Sequence, residues 1–256
     1  MEVCFLLLHP TDPANLLLST AVIRWLNNQV EGAEVFSIAP AASSWLLEAQ
    51  KPDRLLTYDR DPLILRPVIG ELLPDYLVDL EGKGFYKRLK RKLKILDFPV
   101  EKLSLFDVAD DHAGPFFAVP GPNPAWFPES FGKGYLALSL EGLAGLRDQA
   151  VEQLVRLATL IEYPMVLTGS AQERPLADEI ARKAGCTVYP ACGDFTPLQA
   201  ASIIRGSGGL VALEPLWKMI GETIGKPVVY IDGSQASSLG DDPAELIGQV
   251  RQWIKN

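Results

Sequence analysis

The segment that most constrains the fold is residues 163–185, which read Y-P-M-V-L-T-G-S-A-Q-E-R-P-L-A-D-E-I-A-R-K-A-G. Residues 165–167 form a short apolar run of the kind that a buried parallel strand needs, and T-G-S at 168–170 interrupts it. From Arg174 the apolar residues recur at helical spacing as far as Gly185. We therefore predict a strand, a glycine turn and a helix, whose first N–H groups offer a natural position for phosphate.

The rest of the chain repeats this alternation of apolar runs and amphipathic segments. Predicted strands lie at 3–8, 34–39, 54–58, 76–80, 134–138, 165–167, near 187, at 210–213 and at 228–231. Predicted helices lie at 14–28, 44–49, 63–72, 85–96, 146–161, from 174, at 196–207, 216–224 and 242–255. Strands that alternate with helices indicate an α/β fold with parallel sheets covered on both faces.

A proline-rich stretch separates the two halves of this pattern. Prolines at 115, 120, 122, 124 and 128 exclude regular structure over most of it. We predict an N-terminal α/β domain of residues 1–110, a linker of residues 111–133 and a C-terminal α/β domain of residues 134–256. Aromatic residues in the linker indicate that it packs on the protein surface.

The composition excludes several classes of protein. The net charge of −8 opposes general nucleic-acid binding, and no apolar run reaches the roughly 20 residues that cross a bilayer. Residues 1–8 lack the basic start of a signal peptide. Three scattered cysteines are too few for a zinc site; we expect reduced thiols, with a Cys186–Cys192 pair as the alternative. A cytoplasmic protein is therefore expected.

Four segments carry motifs in a recognisable order. Residues 9–26 read H-P-T-D-P-A-N-L-L-L-S-T-A-V-I-R-W-L, residues 79–82 read D-L-E-G, residues 166–173 read V-L-T-G-S-A-Q-E, and residues 225–229 read G-K-P-V-V. In this order they resemble the motifs of the ADP-heptose–lipopolysaccharide heptosyltransferases, which are glycosyltransferases of the GT-B fold. The resemblance covers almost the whole chain, although each motif alone is weak.

The resemblance implies two Rossmann-like halves that face a cleft. The implied reaction transfers a sugar from a nucleotide-diphosphate sugar to a glycan acceptor, with the donor on the second half and the acceptor on the first. Neither a cofactor nor a metal is implied, because backbone N–H groups and basic side chains would stabilise the leaving diphosphate.

The first motif departs from the family at the catalytic base. The family has an aspartate where this chain has Asn15, and an amide cannot take a proton from a hydroxyl at neutral pH. Asp12 lies three residues earlier and could replace it, although both residue types also cap helices. The departure leaves open a catalytically impaired relative that binds a nucleotide-sugar or a partner protein. An unrelated two-domain α/β enzyme or sensor is a further alternative.

The donor-binding candidates lie in the second half: Thr168, Gly169, Ser170, Glu173, Glu214 and Lys218. The first three would hold the diphosphate, or form an ordinary strand-to-helix turn. Glu214 would contact a sugar or ribose hydroxyl, or cap the helix that follows it. Lys218 would neutralise a phosphate.

The acceptor-binding candidates are His9, Lys83 and Lys87. Residues 83–94 contain seven Lys or Arg and no acidic residue, in a chain that is otherwise acidic. This segment indicates docking onto an anionic acceptor such as a lipopolysaccharide core, with peripheral contact at the inner membrane, or simply a solvated helix face. His9 would orient a base or a phosphate, or be a hydrogen-bonded residue at a strand end.

Overall fold

The computed structural model describes residues 3–81, 94–97, 117, 119–143, 147–184, 187–231, 248 and 250–253. The chain divides into two compact units, Met1–Ala118 and Val119–Asn256. In the described residues, each unit contains one five-stranded sheet, and all the strand pairs in both sheets are parallel.

The first unit holds strands β1 to β5 in the order β3-β2-β1-β4-β5. The strands are β1 (Val3–Leu8), β2 (Ala33–Pro40), β3 (Arg54–Tyr58), β4 (Tyr76–Asp79) and β5 (Lys94–Asp97). The helices are α1 (Pro13–Gln29), α2 (Trp45–Glu48) and α3 (Arg66–Leu72). The central strand β1 is buried from Phe5 to Leu8 because both of its faces are covered, which explains its unbroken apolar run.

The second unit repeats this plan with strands in the order β10-β9-β6-β7-β8. The strands are β6 (Leu136–Ser139), β7 (Met165–Thr168), β8 (Val188–Pro190), β9 (Leu210–Ala212) and β10 (Val228–Tyr230). The helices are α4 (Arg147–Ile161), α5 (Arg174–Lys183), α6 (Pro197–Gly206) and α7 (Pro215–Thr223). The predicted capping box is present, because Thr196 and Gln199 hydrogen-bond each other's backbone N–H groups.

Alternate residues of the central strands pack on opposite faces of the second sheet. Leu136 and Leu138 of β6 join a core with Leu154 and Ile180, which belong to α4 and α5. Val166 of β7 points to the other face and packs with Ile203 and a set of aromatic residues. This alternation matters for the site, because it determines which polar side chains at the strand ends lie side by side.

The predicted helix at 85–96 is wrong at its C-terminal end. Residues 94–97 form β5, which pairs in register with β4 from Tyr76–Lys94 to Asp79–Asp97. Pairing with an open sheet edge outweighs the helical propensity of lysine and leucine. Lys94 therefore lies in a strand and not in the predicted basic helix. Lys83 and Lys87 lie outside the described residues.

The proline-rich stretch from residue 119 to residue 133 belongs to the second unit. Its rings pack against side chains of the strands and turns of that unit, with Trp126 on Phe195 and Phe127 on Tyr189 at centroid distances of 5.2 and 5.9 Å. A cavity of about 470 Å³ lies beside them at the start of β6, lined mainly by proline and aromatic side chains.

The predicted fold class, α/β with two Rossmann-like parallel-sheet halves, is confirmed. The part of the chain that the structure describes has no helix long and apolar enough to span a membrane. Cys4 and Cys192 are free thiols. Burial raises the pKa of the Cys192 thiol to about 12, and the Glu173 carboxylate adds to this effect.

Candidate functional site

Each sheet has a switch point, where the loops after two neighbouring strands leave in opposite directions. In the first unit it lies between β1 and β4, and in the second between β6 and β9. In open α/β sheets, ligands bind beyond the carboxyl ends of the strands at such points. This places the candidate sites of the described chain at the carboxyl edges of the two sheets.

At the first switch point, a carboxylate joins the loop after β1 to the loop after β4. Glu81 accepts hydrogen bonds from the backbone N–H of Thr11 at 2.5 Å and from its hydroxyl at 2.8 Å. The buried Asp79 carboxylate in turn accepts the N–H of Glu81 at 3.1 Å. Glu81 belongs to the D-L-E-G motif but was not among the candidate site residues predicted from the sequence. Glu81 follows an apolar strand that ends in an aspartate, and this sequence pattern could have identified it.

Asp12 and Asn15 begin the helix that follows this loop. Asp12 is the N-cap of α1, and its Oδ1 accepts the backbone N–H of Asn15 at 2.9 Å. Both side chains are exposed at the carboxyl edge of the sheet. The capping alternative is therefore observed for Asp12, while a catalytic role for either residue stays a prediction.

His9 is fully buried at the end of β1, between two serine hydroxyls. Its Nδ1 lies 2.5 Å from Ser19 Oγ, and its Nε2 lies 3.1 Å from Ser37 Oγ. Ser19 already donates its single hydroxyl proton to the Leu16 carbonyl, so the histidine Nδ1–H must donate to Ser19. We assign the neutral Nδ1–H tautomer, in which Nε2 accepts from Ser37. Burial lowers the pKa of His9 to about 3, so the ring is neutral at pH 7.

This environment gives His9 a structural role at the edge of the sheet. Its exposed fraction is 0%, and both ring nitrogens are hydrogen-bonded. The ring orients β1 and β2 relative to α1, which carries Asp12 and Asn15. Its predicted contact with an acceptor stays a prediction.

At the second sheet, the predicted glycine turn is present, but several N–H groups of the turn and of the residues after it are hydrogen-bonded within the chain. The Ser170 N–H and hydroxyl both donate to Glu173 Oε2, at 2.9 and 2.7 Å. The Gln172 N–H donates to the Ser170 hydroxyl oxygen at 3.1 Å, and the Arg174 N–H donates to the Ala171 carbonyl at 3.4 Å. Glu173 is 3% exposed, which makes it a buried carboxylate at a position suited to an anion.

At the N-terminus of α7, next to the switch point, a carboxylate of the chain also accepts the backbone N–H groups. Glu214 is its N-cap, and Oε2 accepts the N–H groups of Leu216 and Trp217 at 2.9 and 3.3 Å. The buried Trp217 indole N–H donates to Glu141 in the loop after β6. Glu214 thus adopts the capping role that the sequence analysis left open.

Lys218 projects from the first turn of α7 with its side chain partly exposed. Its Nζ lies 3.6 Å from the Glu222 carboxylate and 5.8 Å from the centre of the Tyr230 ring. An exposed ion pair of this kind is weak, so it does not prevent Lys218 from turning towards an anionic ligand.

Two buried hydroxyls at this edge have no hydrogen-bond partner among the described residues. They belong to Ser139 and Thr168, the last residues of β6 and β7, which are 0% and 2% exposed. The two residues are directly opposite each other in the parallel register, so their side chains lie on the same face. Buried hydroxyls without a hydrogen-bond partner are energetically costly and uncommon. Ser139 was not among the candidate site residues predicted from the sequence.

The loops at the carboxyl edge of the second sheet carry more negative charge than a phosphate-binding site requires. The carboxylates of Glu141, Glu173 and Glu214 lie in its loops, while Arg174 forms ion pairs with Asp178 and Asp194 at 3.0 and 2.7 Å. Within the described residues, no group of three or more metal-ligating side chains could hold a metal ion.

These two parallel-sheet units define a two-domain α/β protein with the fold of the GT-B class. Among solved structures, the chain is similar to the Escherichia coli ADP-heptose lipopolysaccharide heptosyltransferase II. The TM-score is 0.69 and the identity 14%, with 100% of this chain and 99% of that chain covered.

Two further solved structures have the same fold. A glycosyl transferase of family 9 from Veillonella parvula matches with a TM-score of 0.67 and 12% identity, over 90% of this chain and 81% of that chain. The E. coli heptosyltransferase WaaC with ADP-2-deoxy-2-fluoro heptose matches with a TM-score of 0.64 and 15% identity, over 99% of each chain. No sequence family model matches the chain, and no curated protein matches it by sequence. At these identities the likeness shows the fold.

Proposed function

We propose that this protein is a glycosyltransferase of the heptosyltransferase type, which transfers a sugar from a nucleoside-diphosphate sugar to a glycan hydroxyl. The observation that carries the proposal is the agreement of fold over the full length of the chain with heptosyltransferase II, including both five-stranded sheets. The ordered motifs at residues 9–26, 79–82, 166–173 and 225–229 support the same assignment independently, because they do not depend on the fold comparison.

The second unit would bind the donor. A solved heptosyltransferase of the same fold is described with ADP and with an ADP-heptose analogue, which supports a nucleotide-sugar as the donor here. The candidate contacts are Thr168, Gly169, Ser170, Glu173, Glu214 and Lys218, at the edge where α5 and α7 begin.

The first unit would bind the acceptor and supply the base. Asp12 is an exposed carboxylate next to Asn15, the position at which the family has its aspartate. The proposed acceptor is an anionic glycan such as a lipopolysaccharide core, and the support for it is the run of basic residues that includes Lys83 and Lys87. A peripheral contact with the inner membrane, and with it a cytoplasmic location, belongs to the same proposal.

A ligand panel tests the donor assignment. The melting temperature of the protein should rise in millimolar ADP, UDP or GDP, or in one of the corresponding sugars, because a ligand that binds only the folded state stabilises it. One nucleotide should stand out from the other two. A protein whose melting temperature is indifferent to all of these ligands would contradict the proposed function.

A further inference from the structure

The last residues of four neighbouring strands in the second sheet lie in one row on the same face of the sheet. In order across the sheet they are Tyr230, Ala212, Ser139 and Thr168, which pair in the parallel register. Helix α7 packs on this face at β9 and β10, because a Cβ on its Gly221 would meet Leu210 Cδ2 at 2.8 Å and Val228 Cγ2 at 2.7 Å. Both side chains lie two residues before the ends of their strands and so share the face of the row.

One end of the row carries two hydroxyls that have no hydrogen-bond partner among the described residues. They belong to Ser139 and Thr168, which are 0% and 2% exposed. A buried hydroxyl without a partner carries a desolvation cost, which a ligand oxygen would remove by accepting its hydrogen bond. This end of the row therefore suits an oxygen-rich group such as the diphosphate of the proposed donor.

The other end of the row carries an exposed aromatic ring beside charged side chains. Tyr230 is 36% exposed, and Lys218 Nζ lies 5.8 Å from the centre of its ring. The carboxylate of Glu214, the N-cap of α7, lies one turn before Lys218. An aromatic face packs against the C–H groups of a sugar ring, and carboxylate oxygens accept its hydroxyls. These groups suit a sugar better than a nucleobase, because a nucleobase has no hydroxyls.

We propose that Tyr230 is a specificity-determining residue that packs against the sugar ring of the donor, with the diphosphate at the Ser139 and Thr168 end of the row. Two interstrand spacings of about 4.8 Å each separate Ser139 from Tyr230, which makes about 10 Å. A sugar joined to a diphosphate extends over a distance of this order. The inference rests on the proposed function, since it assigns positions to two parts of the proposed donor.

The test compares nucleotide-sugars with the matching free nucleoside diphosphates by calorimetric titration of the full chain. The pairs are ADP-heptose with ADP, UDP-glucose with UDP, and GDP-mannose with GDP. For the pair that binds the wild type, Tyr230→Leu should weaken the binding of the nucleotide-sugar by about tenfold. The affinity for the free diphosphate should not change, because only the sugar reaches the ring. Tyr230→Phe keeps the ring and should keep both affinities.

A second variant tests the other end of the row. Ser139→Ala should weaken the nucleotide-sugar and the free diphosphate by the same factor, about fivefold, because it removes a hydrogen bond to the part that they share. Trp25→Leu is the matched control for Tyr230→Leu, since Trp25 is 38% exposed but lies in α1 of the first unit, and it should leave both affinities unchanged. Melting curves confirm that the variants fold, and Tyr230→Gln replaces Tyr230→Leu if the latter does not.

The outcomes separate this inference from the proposed function. If the wild type binds a nucleotide-sugar and folded Tyr230→Leu binds it equally well, the inference is overturned and the proposed function stands. Equal losses for the nucleotide-sugar and the free diphosphate in Tyr230→Leu, or unchanged affinities in Ser139→Ala, overturn it in the same way. If Tyr230→Leu selectively loses the nucleotide-sugar but the wild type transfers no sugar, the binding site stands and the proposed transfer is contradicted. A wild type that binds none of these ligands overturns both.

Discussion

The Glu81 carboxylate accepts both the backbone N–H and the hydroxyl of Thr11, and so ties the loop after β4 to the loop that leads into α1. The two residues are 70 positions apart in sequence and meet because β1 and β4 are neighbours in the sheet. The bond fixes the entry to the helix that carries Asp12 and Asn15, so the position of the proposed base depends on it.

Removing either partner should cost stability through the same interaction. We expect Thr11→Val to lower the free energy of unfolding by about 1 kcal/mol, which is below the usual range for a hydrogen bond to a charged group because the pair is partly exposed. Urea denaturation measures this change in the free energy of unfolding. In a Glu81→Ala background the same substitution should have almost no effect, because its partner is gone; equal costs in both backgrounds would show that the two residues are not coupled.

The burial of His9 predicts a specific dependence of stability on pH. The folded-state pKa of about 3 lies below the unfolded value of 6.5, so only the unfolded chain takes up a proton between these values. The stability contributed by neutral His9 is present above pH 6.5 and is lost progressively as the pH falls towards 3. Between pH 7.5 and pH 5 this loss amounts to about 2 kcal/mol.

A His9→Gln variant isolates that contribution, because glutamine has a donor and an acceptor but does not titrate. The difference in unfolding free energy between wild type and variant should shrink by about 2 kcal/mol between pH 7.5 and pH 5. A difference that stays constant over this interval would show that His9 is protonated in the folded protein.

The two roles of Asp12 can be separated by a single substitution. Serine caps a helix about as well as aspartate, so Asp12→Ser should change the free energy of unfolding by less than about 0.5 kcal/mol. Serine cannot act as the base at neutral pH, so sugar transfer should fall by about 100-fold or more. Retained transfer activity in a folded Asp12→Ser protein would assign Asp12 to capping alone.

Asn15→Asp restores the residue type that the heptosyltransferase motif has at this position. We expect trace transfer activity to rise, because an exposed carboxylate beside Asp12 can accept the proton of the acceptor hydroxyl. Stability should also rise slightly, by about 0.3–1 kcal/mol, since a negative charge is favourable in the first turn of a helix. Asn28→Asp, near the other end of α1, is the control: it adds the same charge with neither benefit.

The fold was predictable from sequence where the pattern is local. Apart from β5, the strands of both sheets are mostly short apolar runs that alternate with segments of helical periodicity, and the capping box at Thr196 specifies its helix directly. Strand β5 was not predictable in this way, since Lys94–Asp97 is extended because of the β4 edge beside it.

For the candidate site, only the position of its residues in the fold was predictable. The sequence places Thr168, Gly169, Ser170 and Glu214 at the carboxyl edge of a parallel sheet, and the structure puts them there. Which N–H groups are already occupied by Glu173 and Glu214 depends on side-chain conformation. The position of Ser139 beside Thr168 depends on the register of two strands that a helix separates in the sequence. A single sequence carries no direct signal for the side-chain conformation or for the register.

Acceptor-dependent release of nucleoside diphosphate tests the central claim most directly. The purified protein is incubated with ADP-heptose and other nucleotide-sugars, with and without a lipopolysaccharide core acceptor, and the released nucleoside diphosphate is measured. The proposed function predicts that one nucleotide-sugar is consumed only when the acceptor is present and that Asp12→Ser lowers the release by about 100-fold or more. A wild-type protein that releases no nucleoside diphosphate from any of these donors in the presence of the acceptor would contradict it.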